Sequence, residues 1–227
     1  MSYAETAATP DKDKVVLFEA TPITDIDVLL ERAKNGITDR QNESQPTPSV
    51  VQISNKALLQ EDEFSLEEIE YYSTTQKIRE IKQDQTTVET FSTTNFAILS
   101  ADDKYQTKPD TSGGVVAYST VSYDVIYANN LENYKLLSVT GGWNVHDSSI
   151  SLSNRTVTYG ASGNGMGGGA YLTQKRGPYT VSVNAFSYAA PSEWVYITEP
   201  QSTVGVTSQV TLSRGSSTWQ LLFPLVL

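Results

Sequence analysis

One stretch near the N-terminus has apolar residues at helical spacing. They fall on a single helical face: Ile26, Leu29, Leu30 and Ala33. Thr24 precedes them as the expected N-cap, and Asn35-Gly36 follows as a C-terminal stop. This pattern predicts an amphipathic helix. Before it, KVVLFEA at residues 14–20 is typical of a short strand.

From residue 73 onward, alternation of apolar and polar residues replaces helical spacing. The alternating apolar residues are Val181, Val183 and Ala185 in one run and Ile150 and Leu152 in another. Alternation with period two is typical of strands that have one buried and one solvated face. Several such runs, separated by turns rich in Gly, Asn, Ser and Pro, predict an antiparallel β-sandwich, Ig-like or related, over residues 73–227. No helical pattern separates these strands, which argues against a parallel α/β sheet.

Residues 1–72 form a second predicted unit, an acidic N-terminal segment with short helices. A polar, proline-containing stretch at residues 37–49 predicts a linker or exposed loop. Ser65 and Glu68 have capping-box spacing, which predicts a short helix near residues 65–72 or one that gives way directly to a strand. The segment contains 15 acidic and 6 basic residues, and therefore carries nine of the ten net negative charges. It either packs on the sandwich or acts as a releasable cover, with the linker as the joint that proteases would cut.

Composition and charge exclude several classes of function. The net charge of −10 and the lack of a basic stripe disfavour binding to nucleic acid and to anionic membranes. With no cysteine and one histidine, disulfides and cysteine-ligated zinc are excluded, and no metal or cofactor is expected. No apolar run reaches the roughly 18 residues of a transmembrane helix. The first residues, MSYAETAATP, show no signal-peptide pattern.

Catalytic motifs are scarce. His146 is followed by Asp147, but adjacent residues on an extended strand point to opposite faces, so this pair does not predict a catalytic triad. No G-x-S-x-G nucleophile motif is present. The remaining possibility is a pair of carboxylates, as in glycoside hydrolysis. The candidates are Asp102, Asp103, Asp110 and Asp124.

The glycine-rich stretch GASGNGMGGGA, residues 160–170, contains the spacing G-x-G-x-x-G. A dinucleotide site needs a helix after these glycines, and the strand-like AYLTQKRGPYTVSV follows instead. The stretch therefore predicts a long flexible connection between two strands, or a place where a ligand or partner approaches the backbone closely. Its candidate loop glycines are Gly163, Gly165, Gly167, Gly168 and Gly169.

Tyrosine and tryptophan supply the candidate binding residues, because each combines an apolar ring with a polar edge. Trp143 and Trp219 are expected in the core, whereas Trp194 lies beside a predicted loop and is a candidate surface anchor. Tyr118 and Tyr123 are five positions apart and should face opposite sides of one strand. The proposed binding residues are Trp194, Tyr196, Tyr188 and Tyr171.

Two stretches of the C-terminal half carry a resemblance to other proteins. They are YKLLSVTGGWNVHDSSISLSNRTVTYG and VGVTSQVTLSRGSSTWQL, and a weaker likeness is found in STTQKIREI. Over roughly residues 114–225, the chain resembles uncharacterised exported β-rich proteins of Gram-positive, Firmicutes-type bacteria. The resemblance implies export and a β-rich fold, and it implies no activity, cofactor or catalytic residue.

These observations favour a non-catalytic secreted or cell-surface protein that binds an envelope glycan or a protein partner. The alternative is a carboxylate-based, glycosidase-like hydrolase on a β-scaffold. Two carboxylates in a cleft, about 5–9.5 Å apart, would favour the hydrolase. A flat aromatic face or an uncovered strand edge would favour binding. A cytoplasmic location and any oligomeric state remain compatible with the sequence.

Overall fold

The computed structural model describes residues 14–40, 69–99 and 114–227, and residues 52–55 by their backbone. In this part of the chain there is one helix, α1 (Ile26–Lys34), and there are eleven strands. The strands are β1 (Lys14–Glu19), β2 (Gln52–Asn55), β3 (Ile69–Gln83), β4 (Thr86–Leu99), β5 (Val115–Ala128), β6 (Leu131–Val145), β7 (Ser151–Gly165), β8 (Tyr171–Thr180), β9 (Ala185–Ala189), β10 (Ile197–Arg214) and β11 (Ser217–Val226).

All strand pairs are antiparallel, and the strands join into one open sheet in the order β1-β3-β4-β5-β6-β10-β11-β2. The long strand β10 connects the two halves of this order. Its first residues, Ile197 and Thr198, pair with β6, and its later residues pair with β11. Strand β7 lies between β10 and β8, and β9 pairs with β6. The prediction of a mainly β, antiparallel architecture is confirmed.

The largest apolar cluster takes residues from β4, β5 and β6 and from β7, β10 and β11. Trp143 and Trp219 are buried in it, as predicted. Tyr123 points into the same cluster, whereas Tyr118 packs against a second cluster on the opposite face. The opposite directions predicted for these two tyrosines are therefore confirmed.

Helix α1 covers the second cluster, where Leu29 and Ala33 pack with Phe96 and Ile98 of β4. Its N-cap is Asp25 and not Thr24, because the Asp25 carboxylate accepts hydrogen bonds from the amides of residues 27 and 28. Nine residues make α1 too short to cross a bilayer, and no other helix capable of it occurs in the described ranges.

Residues that follow α1 are held against the sheet. The Thr74 hydroxyl donates to the Ile37 carbonyl over 2.8 Å, and the Asp39 amide donates to the Thr75 carbonyl over 2.9 Å. Residues 37–40 of the predicted linker thus line β3, while residues 41–49 lie outside the described part. Of the two alternatives for residues 65–72, the strand is found at residues 69–72, which belong to β3, and residues 65–68 are not described.

The alternation predicted around residues 181–185 is also wrong. Val181 is buried, but Val183 is 62% exposed and Ala185 is exposed as well. Strand β8 pairs with β7, whereas the next strand, β9, pairs with β6. Residues 181–184 connect β8 to β9 and belong to no strand. Further upstream, Ile150 and Leu152 pack against the core, as their alternation with serines predicted.

Candidate functional site

A groove of about 200 Å³ lies across strands β7 and β10 and between β8 and β11. Its lining includes Thr158, Gly160 and Ser162 of β7 and Thr203, Gly205 and Thr207 of β10. Lys175 of β8 and Val226 of β11 line it as well. We call this feature the threonine–glycine groove.

The groove is built from one short pattern that occurs twice. TYGAS in β7 and TVGVT in β10 both have the form T-x-G-x-[ST]. In the antiparallel register Thr158 faces Thr207, Gly160 faces Gly205, and Ser162 faces Thr203. The alternate residues Tyr159, Ala161, Val204 and Val206 are all buried in the core behind the groove. Period-two alternation thus anchors both strands and places four hydroxyl groups around two glycines.

Neither glycine has space for a side chain. A Cβ atom on Gly160 would lie 2.4 Å from the Gln174 carbonyl oxygen, and one on Gly205 would lie 2.0 Å from the Leu225 carbonyl oxygen. The floor of the groove is therefore bare backbone. Within the described part of the chain, none of the four hydroxyl groups makes a side-chain hydrogen bond, so all are available to a ligand.

Tyr171, one of the predicted binding residues, lies on the face of the sheet that carries the groove. Strand β8 pairs with β7 so that Lys175 faces Gly160, and Tyr171 is four residues from Lys175 on the same strand. An even separation along a strand places both side chains on one face. The Tyr171 ring is 60% exposed, which leaves it free to contact a ligand that extends beyond the groove.

Trp194 and Tyr188 belong to a different cluster, in the interior. Trp194 is only 7% exposed and packs against Tyr159 with ring centroids 5.8 Å apart, so it does not lie on the surface as expected. Tyr188 is half-buried and stacks on Tyr159 at 5.7 Å and on Tyr179 at 4.9 Å. These rings stack on one another between β7, β8 and β9, and among them Tyr179 is still 38% exposed.

Tyr196 lies apart from the groove and meets a predicted carboxylate candidate, Asp124. The Thr90 hydroxyl donates to Asp124 over 2.6 Å, and Lys135 lies 6.0 Å from the centre of the Tyr196 ring. Burial raises the pKa of Asp124, and burial together with the Asp124 charge raises the pKa of Tyr196. The four side chains form a polar row that links β4, β5, β6 and the start of β10.

The glycine-rich stretch is shorter as a connection than predicted. Residues 160–165 belong to β7, and the turn between β7 and β8 comprises residues 166–170. Gly167 and Gly168 have φ angles of +81° and +83°, which favour glycine, and the Gly169 amide closes the turn on the Gly165 carbonyl. Gly163 and Gly165 thus lie in the strand, and only the later glycines belong to the loop.

No catalytic arrangement surrounds His146 in the described ranges. The Asp147 carboxylate accepts hydrogen bonds from the amide and hydroxyl groups of Ser149, over 2.8 and 2.6 Å, and pairs with Arg214. Asp102, Asp103 and Asp110 lie outside the described residues. In the part of the chain that the structure describes, no three His, Asp or Glu side chains gather as metal ligands.

Two carboxylates that the sequence analysis did not select meet inside the fold. Glu132 accepts a hydrogen bond from the Tyr134 hydroxyl, and Glu199 Oε1 lies 3.1 Å from the same oxygen. The guanidinium group of Arg40 forms an ion pair with Glu132 at this point. No sequence signal links residues 40, 132 and 199, because only the pairing of β6 with β10 brings the two glutamates together.

No family model, curated protein or solved structure matches this chain. Function must therefore be inferred from the geometry of the described residues. The sequence contained one usable signal for the groove, since T-x-G-x-[ST] is visible twice. Its meaning depends on the register that places the two copies opposite each other.

Proposed function

We propose that this protein is a non-catalytic binding protein whose threonine–glycine groove takes one sugar unit of a cell-envelope glycan. The observation that carries the proposal is the set of four hydroxyl groups around a floor of bare backbone. Hydroxyl groups both donate and accept hydrogen bonds, which suits a ligand that presents hydroxyl groups itself. Because the floor carries no side chain at Gly160 or Gly205, a ring held between the hydroxyl groups would lie against backbone.

The size and surroundings of the groove support a glycan chain over a small isolated ligand. Its volume of about 200 Å³ is below the roughly 300–1,000 Å³ of sites that enclose a drug-sized molecule. One sugar ring would fill it, and neighbouring units would lie across the surface. Tyr171 offers an exposed ring for such a neighbour, and Lys175 adds a positive charge suited to an acidic sugar.

The architecture and location proposed with this function rest on separate grounds. A core shared by β4–β6 and by β7, β10 and β11 supports a sheet folded over itself as a sandwich, Ig-like or related. The resemblance to exported proteins of Gram-positive bacteria supports secretion or display at the cell surface. A glycan of the envelope is the ligand class that such a location would present.

The test is a binding measurement with matched variants. Wild-type protein is applied to a glycan array and to purified envelope polysaccharide, and retained ligands are measured by calorimetry. In the double variant Thr158→Val and Thr207→Val, the shape is kept and two hydroxyl groups are lost. Affinity should fall roughly tenfold or more, at about 0.5–1.5 kcal/mol for each hydrogen bond.

Two further variants separate the groove from general effects. Tyr171→Ala should weaken binding to oligosaccharides more than binding to monosaccharides, because it removes the contact beyond the groove. Thr87→Val, on the exposed end of β4, should leave affinity unchanged. Retention of a protein from the envelope, with no glycan retained, would replace the glycan by a protein partner and refute the ligand class proposed.

A carboxylate-based hydrolase is the second candidate, and the meeting of Glu132 with Glu199 favours it. Both side chains reach the hydroxyl group of Tyr134, so the two carboxylates are neighbours, as a carboxylate-based hydrolase requires. The Arg40 guanidinium is paired with Glu132 and would have to leave before a substrate reached that carboxylate. Hydrolysis of a glycan by wild-type protein, abolished by Glu132→Gln and by Glu199→Gln, would establish this function instead.

A further inference from the structure

Arg40 carries its positive charge into the interior of the fold. Its backbone follows the edge of β3, and its side chain is only 11% exposed. The residues it reaches lie 83 to 94 positions further along the chain. A buried charge costs several kcal/mol unless it is paired and hydrogen-bonded, so the surroundings of this guanidinium group must compensate for its lost hydration.

Three aromatic rings surround the guanidinium carbon. The distances from it to the ring centres are 5.3 Å for Phe91, 5.8 Å for Tyr123 and 5.4 Å for Tyr134. All three rings are buried in the main apolar cluster. Cations within about 6 Å of a ring centre are attracted by its quadrupole, and the attraction grows when water is excluded.

Polar groups lie along the edges of the guanidinium plane. Arg40 donates to the Tyr123 hydroxyl from Nη1 over 3.1 Å and to the Tyr134 hydroxyl from Nη2 over 3.0 Å. Nη2 also forms the ion pair with Glu132, and Glu199 lies behind the Tyr134 hydroxyl. We call the five residues Phe91, Tyr123, Glu132, Tyr134 and Glu199 the arginine box.

The arginine box is suited to a cation even without Arg40. Its walls are aromatic, and its two carboxylates would be left facing each other across one hydroxyl group if the guanidinium were absent. The two carboxylates approach the same hydroxyl group, so their negative charges repel each other and favour a nearby cation. A cation that reaches the arginine box and matches its hydrogen bonds therefore stabilises the folded protein.

We propose that the arginine box is a binding site for an alkylguanidinium group, which Arg40 of the same chain occupies. The planar fork of a guanidinium can donate to two hydroxyl groups and a carboxylate while it stacks between rings. The donors of an ammonium group do not lie in one plane, so an ammonium group cannot make all of these hydrogen bonds while it lies between the rings. The site links the chain that follows α1 to strands β5 and β6, and it is separate from the threonine–glycine groove.

Chemical rescue tests the proposal. Arg40→Ala empties the box and should lower the melting temperature by roughly 10 °C, as expected when one partner of a buried ion pair is removed. Millimolar ethylguanidinium should then raise the melting temperature of this variant in a saturable manner. Wild-type protein should show no such rise, because Arg40 already fills the site.

Two controls identify the chemistry of the site. Ethylammonium has the same charge but no fork, and it should need at least tenfold higher concentration for the same rise. The double variant Arg40→Ala and Glu132→Gln should lose most of the response to ethylguanidinium. A response of equal size in wild-type protein or in the double variant, or no saturable response in Arg40→Ala, would overturn the proposal.

If the alanine variant does not fold, Arg40→Lys provides the decisive measurement. Lysine restores the charge without the fork, so its melting temperature should lie clearly below that of wild-type protein. A melting temperature equal to that of wild-type protein would show that the box requires only a positive charge, and the guanidinium site would be refuted.

Discussion

Gly160 and Gly205 face each other across strands β7 and β10, and each is closed in by the backbone of the next strand outward. Gly160 approaches β8, and Gly205 approaches β11. The same two residues thus allow four strands to lie close together and form the floor of the threonine–glycine groove. Glycine is required here by packing, whether or not a ligand is present.

Gly205→Ala should therefore destabilise the fold. Its Cβ atom would lie 2.0 Å from a backbone oxygen, so β10 and β11 must move apart. We expect a loss of about 3 kcal/mol in the free energy of unfolding, at the upper end of the range for overpacking.

Denaturant unfolding measures this loss, and Gly167→Ala serves as the control. Gly167 has open space around it and a φ of +81°, so alanine there should cost only about 1 kcal/mol. Equal losses would contradict the packing argument.

Ser149 should control the acidity of Asp147. Hydrogen bonds from the Ser149 hydroxyl and amide lower the pKa of Asp147 below its ordinary value of 3.8, with help from Arg214. A lowered pKa means that ionised Asp147 stabilises the folded state above the unfolded pKa, and that this contribution is lost as pH falls through the folded pKa. Ser149→Ala should raise the pKa part of the way back, because the amide bond remains.

Carboxyl carbon shifts followed by NMR across acidic pH would report the pKa of Asp147 in both proteins. Ser151→Ala is the matched control, since the Ser151 hydroxyl donates to the Ser213 carbonyl and not to Asp147. An unchanged pKa in Ser149→Ala, or an equal rise in Ser151→Ala, would show that the hydroxyl bond is not the main cause.

The sequence predicted those features of the fold that depend on residues close together in the chain. The helix follows from side-chain spacing, strand β1 follows from a short apolar run, and Trp143 is buried as expected of a large aromatic residue that packs in a core. The N-cap was misplaced by one position, because Thr24 and Asp25 are both good caps and only the backbone geometry chooses between them.

Contacts distant in sequence could not be predicted. The groove needs the register of β7 with β10, and the arginine box needs residue 40 beside hydrogen-bond partners that lie 83 to 94 positions later. Trp194 lies in the connection between β9 and β10 and belongs to no strand, so alternation gave no information on its burial. In each case the missing information was which strands are neighbours, and pairing within a sheet is set by the whole chain.

The crossing between β8 and β9 offers a direct test of this point. Val181 is 8% exposed and packs in the core, whereas Val183 is largely exposed, although the sequence pattern treats them alike. Val181→Ser should cost about 1–3 kcal/mol in unfolding free energy, since it removes buried apolar surface and buries a hydroxyl. Val183→Ser should change stability by less than about 0.5 kcal/mol. Equal costs would mean that residues 179–188 form one continuous strand.

Strand β1 should promote association between molecules. Four consecutive apolar residues are exposed on this strand: Val15, Val16, Leu17 and Phe18. Strand β1 lies at one edge of the described strand order and pairs there only with β3. An apolar edge with unpaired backbone groups is a template for pairing with another chain. Leu17→Lys should reduce association, because a charged side chain on the edge must lose water when a second strand docks. Leu17 lies at a break in the register with β3, so its replacement should leave stability within about 0.5 kcal/mol.

Light scattering and sedimentation over a range of concentrations would measure this association. Val28→Lys provides the control, since Val28 is also exposed and apolar but lies on helix α1, where no strand edge is available. Wild-type protein and Val28→Lys should associate alike, and Leu17→Lys should remain dispersed to higher concentration. If Val28→Lys disperses the protein equally well, added charge explains the effect, and the edge of β1 is not the contact.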